Sequence, residues 1–403
     1  MPSTLPDGDP APPDGALPAP ALTDVGADGF GIYVHVPFCA SRCGYCDFNT
    51  YTAAELGGGA SQAEYVDTLV REIELAGRVL AGAAPPARTI FVGGGTPTLL
   101  PPADLARIVE TIDKTFGLAA DAEITTEANP ESVDPASLRA LRSAGFTRIS
   151  LGMQSAAAHV LAVLDRRHTP GRAARAAHEA RDAGFEHVNL DLIYGTPGER
   201  AEDFAASLDS AVAAGVDHVS AYSLIVEDGT RLAARVRRGE LPAPSDDVAA
   251  DRYLAADAAL GGAGLSWYEV SNWARDEAAR CRHNLIYWRG GDWWGFGPGA
   301  HSHVGGVRWW NVRHPTRYAA ALADGVSPAA GRETLTADER HLEDVMLRLR
   351  LAEGLPLDRL TPAGLASAER AVADGLLELQ RDRAVLTLRG RLLADAVVRD
   401  LLP

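Results

Sequence analysis

Positive charge is scarce and late in this chain. Its 38 Lys and Arg stand against 54 Asp and Glu, a net charge of −16, and the first basic residue is Arg42. Phosphate binding needs clustered Lys and Arg, so no nucleic-acid partner and no anionic-membrane surface is expected. Secretory and transit leaders need early positive charge, and none stands here. Long apolar runs are missing as well: no window approaches the roughly 18 residues that would span a bilayer, so no direct membrane anchor is expected. Cysteine is the third shortage. Four cysteines, three of them within eight residues, do not make a disulfide framework, and in a reducing compartment such a cluster reads as metal ligation. The expected compartment is therefore cytoplasmic, and the expected partners are small molecules or another protein.

What is present is an ordinary globular composition, 46% apolar, in a chain of 403 residues. Residues 1–28 are the exception, rich in Pro, Ala, Asp and Gly without apolar periodicity; the expectation is a disordered tail, because such a segment buries too little to offset its ordering entropy. From Gly31 onward, short apolar runs ("GIYVHVP", "TIFVGGG", "AEITTEA", "RISLGMQ", "HVNLDLIYG", "HVSAYSLI") alternate with helical segments, the pattern of βαβ units on a parallel sheet. Val66, Leu69, Val70 and Ile73 repeat at helical spacing, as do Leu105, Ile108, Val109 and Ile112. Six units predict an α/β fold, a partial (β/α)6 barrel over residues 29–264. In "HVNLDLIYG" the apolar Val188, Leu190 and Leu192 alternate with Asn189 and Asp191; Glu123, Thr125 and Glu127, and Ser150, Gly152 and Gln154, do the same. Polar residues facing inward late in several strands place a site at the C-terminal mouth. Residues 265–334 read as an aromatic- and Gly-rich extension. Residues 335–403 read as three helices, a strand "AVLTLRG" and a final helix, a winged-helix-like α+β domain whose 12 acids against 10 arginines make a poor DNA surface.

The cysteines form "CASRCGYC", C-x3-C-x2-C at Cys39, Cys43 and Cys46. A structural zinc site wants four ligands, and only His35 upstream offers itself as the fourth. Ferredoxin clusters also want four cysteines. A 4Fe-4S cluster on three thiolates leaves one iron open for an exogenous ligand, which favours a catalytic or substrate-holding cluster over a purely structural one. "GGGTP", Gly93 to Pro97, ends the second strand where the backbone can approach a ligand closely.

This cysteine spacing after the first strand resembles the radical S-adenosylmethionine (SAM) superfamily. The resemblance implies a partial radical SAM barrel and a 4Fe-4S cluster held by Cys39, Cys43 and Cys46, with S-adenosyl-L-methionine on the open iron. It further implies that Tyr45 packs near adenine and that the segment of Gly94, Gly95 and Thr96 meets the methionine amino group. Tyr33, Glu127, Gln154, Arg166 and Asp191 match the remaining SAM-binding positions in order. From "YVHVPFC" through "DLIYGTPGE", and on to about residue 400, the chain is similar to the oxygen-independent coproporphyrinogen III oxidase family. The oxidase continues its loop as C-x3-C-x2-C-x-C; Phe48 stands at that last position here, as in the family's non-decarboxylating haem-chaperone branch. "HNLIYW" matches that branch's H-N-x-x-Y-W pattern, which implies haem binding through His283, with Tyr287, Trp288, Trp293 and Trp294 offered as walls of an apolar slot. The structural alternative for His283 is a satisfied polar residue in an aromatic core. Cys281 reads as a small buried apolar residue, and His301 and His303 in "GAHSH" as further imidazoles that a Gly-rich turn explains equally well. The implied activity is a carrier that hands haem to haem-accepting proteins, in the family view those of the respiratory chain, with a homodimer as one option for its assembly. The alternative is an oxidase that decarboxylates coproporphyrinogen III.

Overall fold

The computed structural model describes residues 7–27, 29–56, 62–166 and 168–402. The six apolar runs form strands β1 (Phe30–Val36), β2 (Ala87–Gly94), β3 (Leu118–Ala128), β4 (Arg148–Gln154), β5 (His187–Tyr194) and β6 (His218–Ser223). They pair in chain order and all in parallel. Alternation decides which way each residue points: Val188, Leu190 and Leu192 of β5 join the buried core, while Asn189 and Asp191 line the interior. Outside, helix Gln62–Leu80 buries Val66, Leu69 and Ile73, and helix Pro102–Phe116 buries Leu105, Ile108, Val109 and Ile112. Val70 is only half-buried, because Tyr65, Thr68 and Glu72 take up part of that face.

The later strands are β7 (Ser266–Glu269), β8 (Asn272–Ala274), β9 (Asp292–Phe296), β10 (His301–Val304), β11 (Val307–Asn311) and β12 (Ala329–Thr334). The sheet runs β12-β11-β10-β9-β1-β2-β3-β4-β5-β6-β8-β7 without closing. This corrects the expected boundary at residue 264: the aromatic segment is no separate extension but continues the sheet at both edges. β9 lies parallel to β1 and β8 antiparallel to β6, and Trp273, Trp294, Phe296 and Trp309 belong to the same core as β1 to β6. A buried carboxyl fastens the join. Glu72 accepts hydrogen bonds from Gly297 N (2.8 Å), Asn311 Nδ2 (2.7 Å) and the Tyr318 hydroxyl, and burial pushes its pKa up to about 7.

The described part of the N-terminal tail is also ordered, against expectation. Asp9 exchanges backbone hydrogen bonds with Arg332 of β12 (2.8 and 2.9 Å), Ser327 N donates to Pro13 O (2.7 Å), and Ala21 and Val25 are buried. Such a composition builds no core of its own, yet it can cover an exposed sheet edge with groups that the edge would otherwise leave unpaired.

Beyond Leu335 a second core forms around Val345, Leu349, Leu355, Leu377 and Leu386. Its small sheet has the order β13 (Leu355–Pro356), β15 (Arg383–Leu386), β14 (Leu377–Gln380), packed with helices Ala337–Arg348, Pro362–Ala373 and Ala394–Leu401. The winged-helix-like α+β arrangement is the expected one. The expected middle helix is only a 3-10 turn, Leu357–Arg359, since Pro356 and Pro362 bracket it and proline ends helices.

Candidate functional site

The cysteine loop leaves the C-terminal end of β1 and is tied down along its length. Tyr51 N donates to Pro37 O (2.7 Å), Cys39 N to Tyr51 O (3.0 Å), Gly44 N to Leu164 O (3.0 Å) and Leu232 N to Gly44 O (2.8 Å). His35 joins strand to loop, one ring nitrogen bonded to Asn49 O (2.9 Å) and the other to the Tyr33 hydroxyl (2.9 Å). The loop thereby sets Cys39, Cys43 and Cys46 along one wall of a cavity of about 580 Å³. The rest of the lining comes from strand ends, Gly94, Gly95 and Thr96 after β2, Glu127 of β3, Gln154 of β4 and Asp191 of β5, and from Arg166 and the loop's own Tyr45. Of these, the periodicity placed Glu127, Gln154 and Asp191 late on inner faces, "GGGTP" marked Gly94 to Thr96, and Tyr45 and Arg166 were matched by the resemblance.

Burial governs the charge here. It pushes the thiols of Cys39 and Cys46 up, the latter to about 11, and the Glu127 carboxyl up to about 8, with the nearby Asp191 carboxylate adding to the rise. Asp191 is raised by burial too, opposed by hydrogen bonds from Ser150 Oγ (2.9 Å) and Asn189 Nδ2 (2.7 Å). Arg166 donates to Gly152 O (3.0 Å) and Cys43 Sγ (3.5 Å), while its Nε is buried without a partner.

The donor set fits an iron-sulfur cluster with SAM beside it. No three His, Cys, Asp or Glu side chains among the described residues close on a single ion; the three sulfurs instead share a cavity wall, as suits a cluster that takes one thiolate per iron. Gly95 is a cradle, since a Cβ there would stand 2.4 Å from Phe38 O and 3.0 Å from Cys39 Sγ. The orphaned Arg166 Nε–H is a donor waiting for an anionic group such as a carboxylate. Two buried carboxyls, Glu127 and Asp191, face a cavity that can accept positive charge.

Four buried carboxyls make stability depend on pH. Glu127 is raised to about 8 and Glu72, Glu199 and Glu269 to about 7, all chiefly by burial. The folded chain keeps these protons where the unfolded chain has lost them, so this stabilisation is full below the ordinary carboxylate pKa and fades as pH rises through 7 and 8. His35 and His283, lowered to about 4 by burial, act oppositely, but only below the ordinary imidazole value of 6.5. The melting temperature of the cluster-free protein is therefore expected to fall between pH 6.5 and 8.5, with a shallower fall in Glu127→Gln. A calorimetric series that stays flat or rises over this range would contradict the assignment.

Two residues matched by resemblance lie elsewhere. Tyr33 faces an inner pocket and a second cleft rather than the cysteine cavity. His283, the implied haem ligand, is 1% exposed. Its Nδ1 is bonded to Thr89 Oγ1 (2.7 Å) and its Nε2 to the Tyr287 hydroxyl (2.7 Å), which corrects the expectation of an imidazole open to iron. The cause is the cap on helix Arg282–Trp288: Glu123 accepts from His283 N (3.1 Å) and Arg282 N (3.2 Å) and draws the helix start under the sheet. Of the four aromatic residues offered as a slot, Trp294 is buried in the core and Trp288 packs on a separate cluster around Tyr268 and Leu351. Cys281 is buried, its thiol pushed up to about 12, as a structural cysteine should be.

Tyr287 and Trp293 do meet, across that second cleft of about 470 Å³ between the barrel and helix Ala337–Arg348, whose Glu343, Met346 and Leu347 form the far wall. Phe48, Gly94 and Glu127 border both cavities. Sequence reasoning missed Met346 and Leu347, which no local pattern marks. It also missed Leu224 and Ile225 at the mouth of the cysteine cavity, although there a signal existed: the apolar run "HVSAYSLI" continues past Ser223, where β6 ends, and Ile225 is 66% exposed.

The radical SAM superfamily profile matches residues 33–211, and the HemN C-terminal domain profile residues 335–393. The haem chaperone HemW of Mycobacterium tuberculosis is 59% identical over 95% of this chain and 97% of its own length. HemW of Escherichia coli is 33% identical over 91% of this chain and 96% of its own. Among solved structures, the radical SAM enzyme coproporphyrinogen III oxidase (HemN) of Escherichia coli superposes with a TM-score of 0.81 over 95% of this chain and 92% of its own, at 24% identity, a likeness of fold. No helix among the described residues is long and apolar enough to cross a membrane.

Proposed function

The chain belongs to the haem chaperone HemW family within the radical SAM superfamily, and on that premise we propose that it binds haem and passes it to acceptor proteins. The observation that carries this reading is the second cleft, an apolar-walled space of about 470 Å³, within the range of small-molecule sites, beside the cysteine cavity and separated from it by Phe48. Cys39, Cys43 and Cys46 are the residues that would hold a 4Fe-4S cluster. Gly94, Gly95 and Thr96, with Tyr45, Glu127, Gln154, Arg166 and Asp191, would seat SAM. When bound, the pair supplies one-electron cleavage of a sulfur–carbon bond. The chain's own contribution is positional: the Arg166 guanidinium orients a carboxylate, the glycine segment lets backbone approach the ligand, and Glu127 gives up its proton when a cation enters.

Phe48, where the resembling oxidase carries another cysteine, favours carriage over decarboxylation. The finer parts of the reading, respiratory-chain haem proteins as acceptors, the cytoplasm as compartment and a homodimer as the working assembly, are what the resemblance read in the sequence implies.

The test is a pair of assays on the purified protein. Hemin titration is expected to give saturable uptake, and anaerobic incubation of the reduced, reconstituted protein with SAM and coproporphyrinogen III is expected to release no carbon dioxide. Decarboxylation without saturable hemin uptake would reverse the reading.

A further inference from the structure

A buried hydroxyl without an acceptor calls for a physical reason, because a polar group taken out of water and left unpaired destabilises the fold. Thr50 is such a case. It is 1% exposed and lines the cysteine cavity together with Cys39, yet its Oγ1 has no hydrogen-bond partner among the described residues. The backbone leaves it no other place to go. Thr50 N donates to Phe48 O (2.8 Å), and Arg42 Nη2 donates to Thr50 O. The next residue is paired at both of its backbone groups, Tyr51 N to Pro37 O (2.7 Å) and Cys39 N to Tyr51 O (3.0 Å). Thr50 is thus strapped against the first cysteine, and its branched side chain is stiff at χ1.

Each loop sulfur has a donor beside it. Arg166 Nη1 stands 3.5 Å from Cys43 Sγ, the Phe48 N–H serves Cys46, and at Cys39 the donors are the hydroxyls of Thr50 and Thr96. Those two hydroxyls differ in surroundings. Thr96 is only half-buried and belongs to the segment that would seat SAM, so solvent or ligand can meet it. Thr50 is walled in, and among the described residues the Cys39 sulfur is what its hydroxyl serves. A neutral thiol is a weak acceptor, which leaves that hydroxyl unsatisfied. A metal-bound thiolate carries negative charge and accepts strongly.

We propose that Thr50 donates a hydrogen bond to the cluster-bound Cys39 thiolate and thereby raises the reduction potential of the cluster. One-electron reduction adds negative charge to the cluster and its thiolates, so a donor aimed at one sulfur stabilises the reduced state more than the oxidised one. Thr50 is then a tuning residue, outside both the metal ligands and the groups that would seat SAM. The inference rests on the cluster reading above and deepens it by naming what sets the potential.

The full chain, reconstituted anaerobically with iron and sulfide, provides the test in two variants. Thr50→Val keeps the branched shape and deletes the hydroxyl; Thr50→Ser keeps the hydroxyl. Dithionite titration with redox mediators, followed by electron paramagnetic resonance of the reduced cluster, reads the midpoint potential. Thr50→Val is expected to hold wild-type iron and to move to a more negative potential, with a reduced-to-oxidised ratio at the wild-type midpoint lower by about threefold or more. Thr50→Ser should stay with wild type. In deuterated buffer, electron-nuclear double resonance should show one exchangeable deuteron fewer near the cluster in Thr50→Val than in wild type or Thr50→Ser. A wild-type potential in Thr50→Val, or a Thr50→Ser that shifts as far, would overturn the proposal while leaving the cluster reading intact. Loss of iron in Thr50→Val would overturn it too, making the threonine a structural support. Absence of any cluster in wild type would remove both readings.

Discussion

Arg148→Met is expected to cost about 3–5 kcal/mol of folding stability, the range for breaking a buried ion pair by removing one partner. Arg148 is 1% exposed. Its Nε donates to Glu123 Oε2 (3.0 Å), and its Nη2 to the carbonyls of Ala279 (2.6 Å) and Arg280 (3.0 Å). Methionine fills the volume but leaves two carbonyls unbonded and Glu123, in a site that is 3% exposed, without its ion-pair partner. The loss propagates, because Glu123 also caps helix Arg282–Trp288 at Arg282 and His283. Chemical unfolding followed by tryptophan fluorescence measures it, and the double variant Glu123→Gln, Arg148→Met, which removes the stranded charge and keeps an oxygen for the helix amides, should recover part of the loss. A single-variant cost below about 1 kcal/mol would show that the pair is not what fastens this helix to the sheet.

Gly95→Ala is expected to disable the cysteine loop. A Cβ at that position meets Phe38 O at 2.4 Å and Cys39 Sγ at 3.0 Å, and neither neighbour can yield cheaply. The backbone there is pinned by Gly95 N to Val36 O (2.8 Å) and Thr96 N to Phe38 O (2.8 Å). The methyl group therefore displaces the loop that carries the first thiolate. Overpacking of this kind costs about 1–3 kcal/mol, while the larger effect is on the cluster, whose affinity should drop by about tenfold or more when a supporting contact is lost. Iron and sulfide content after anaerobic reconstitution reads this out. Gly261→Ala, in a helix with no heavy atom within 4 Å of the new Cβ, is the control and should retain full iron. Equal iron in the two variants would mean that the close approach at Gly95 does not position Cys39.

Much of the molecule was legible in the sequence because the signals are local. Alternation in "HVNLDLIYG" placed Asp191 inside and Leu190 outside without knowledge of any neighbour, since a strand's two faces follow from its own backbone. The spacing of Cys39, Cys43 and Cys46 likewise carried its chemistry within eight residues. The tail was misread because its order is borrowed: Asp9 is held by Arg332, more than three hundred residues away, and composition reports only what a segment can bury alone.

The sequence by itself determined six parallel strands, the inner-face polar residues and the three-cysteine loop, because side-chain period and ligand spacing are properties of contiguous residues. Only the tertiary structure decided that the His283 imidazole is closed in, with both ring nitrogens bonded. In the chain His283 stands in "HNLIYW" among aromatic residues as the implied haem ligand. The reason is that Thr89, nearly two hundred residues away, reaches one of its nitrogens across the fold, while Tyr287 of the same helix takes the other.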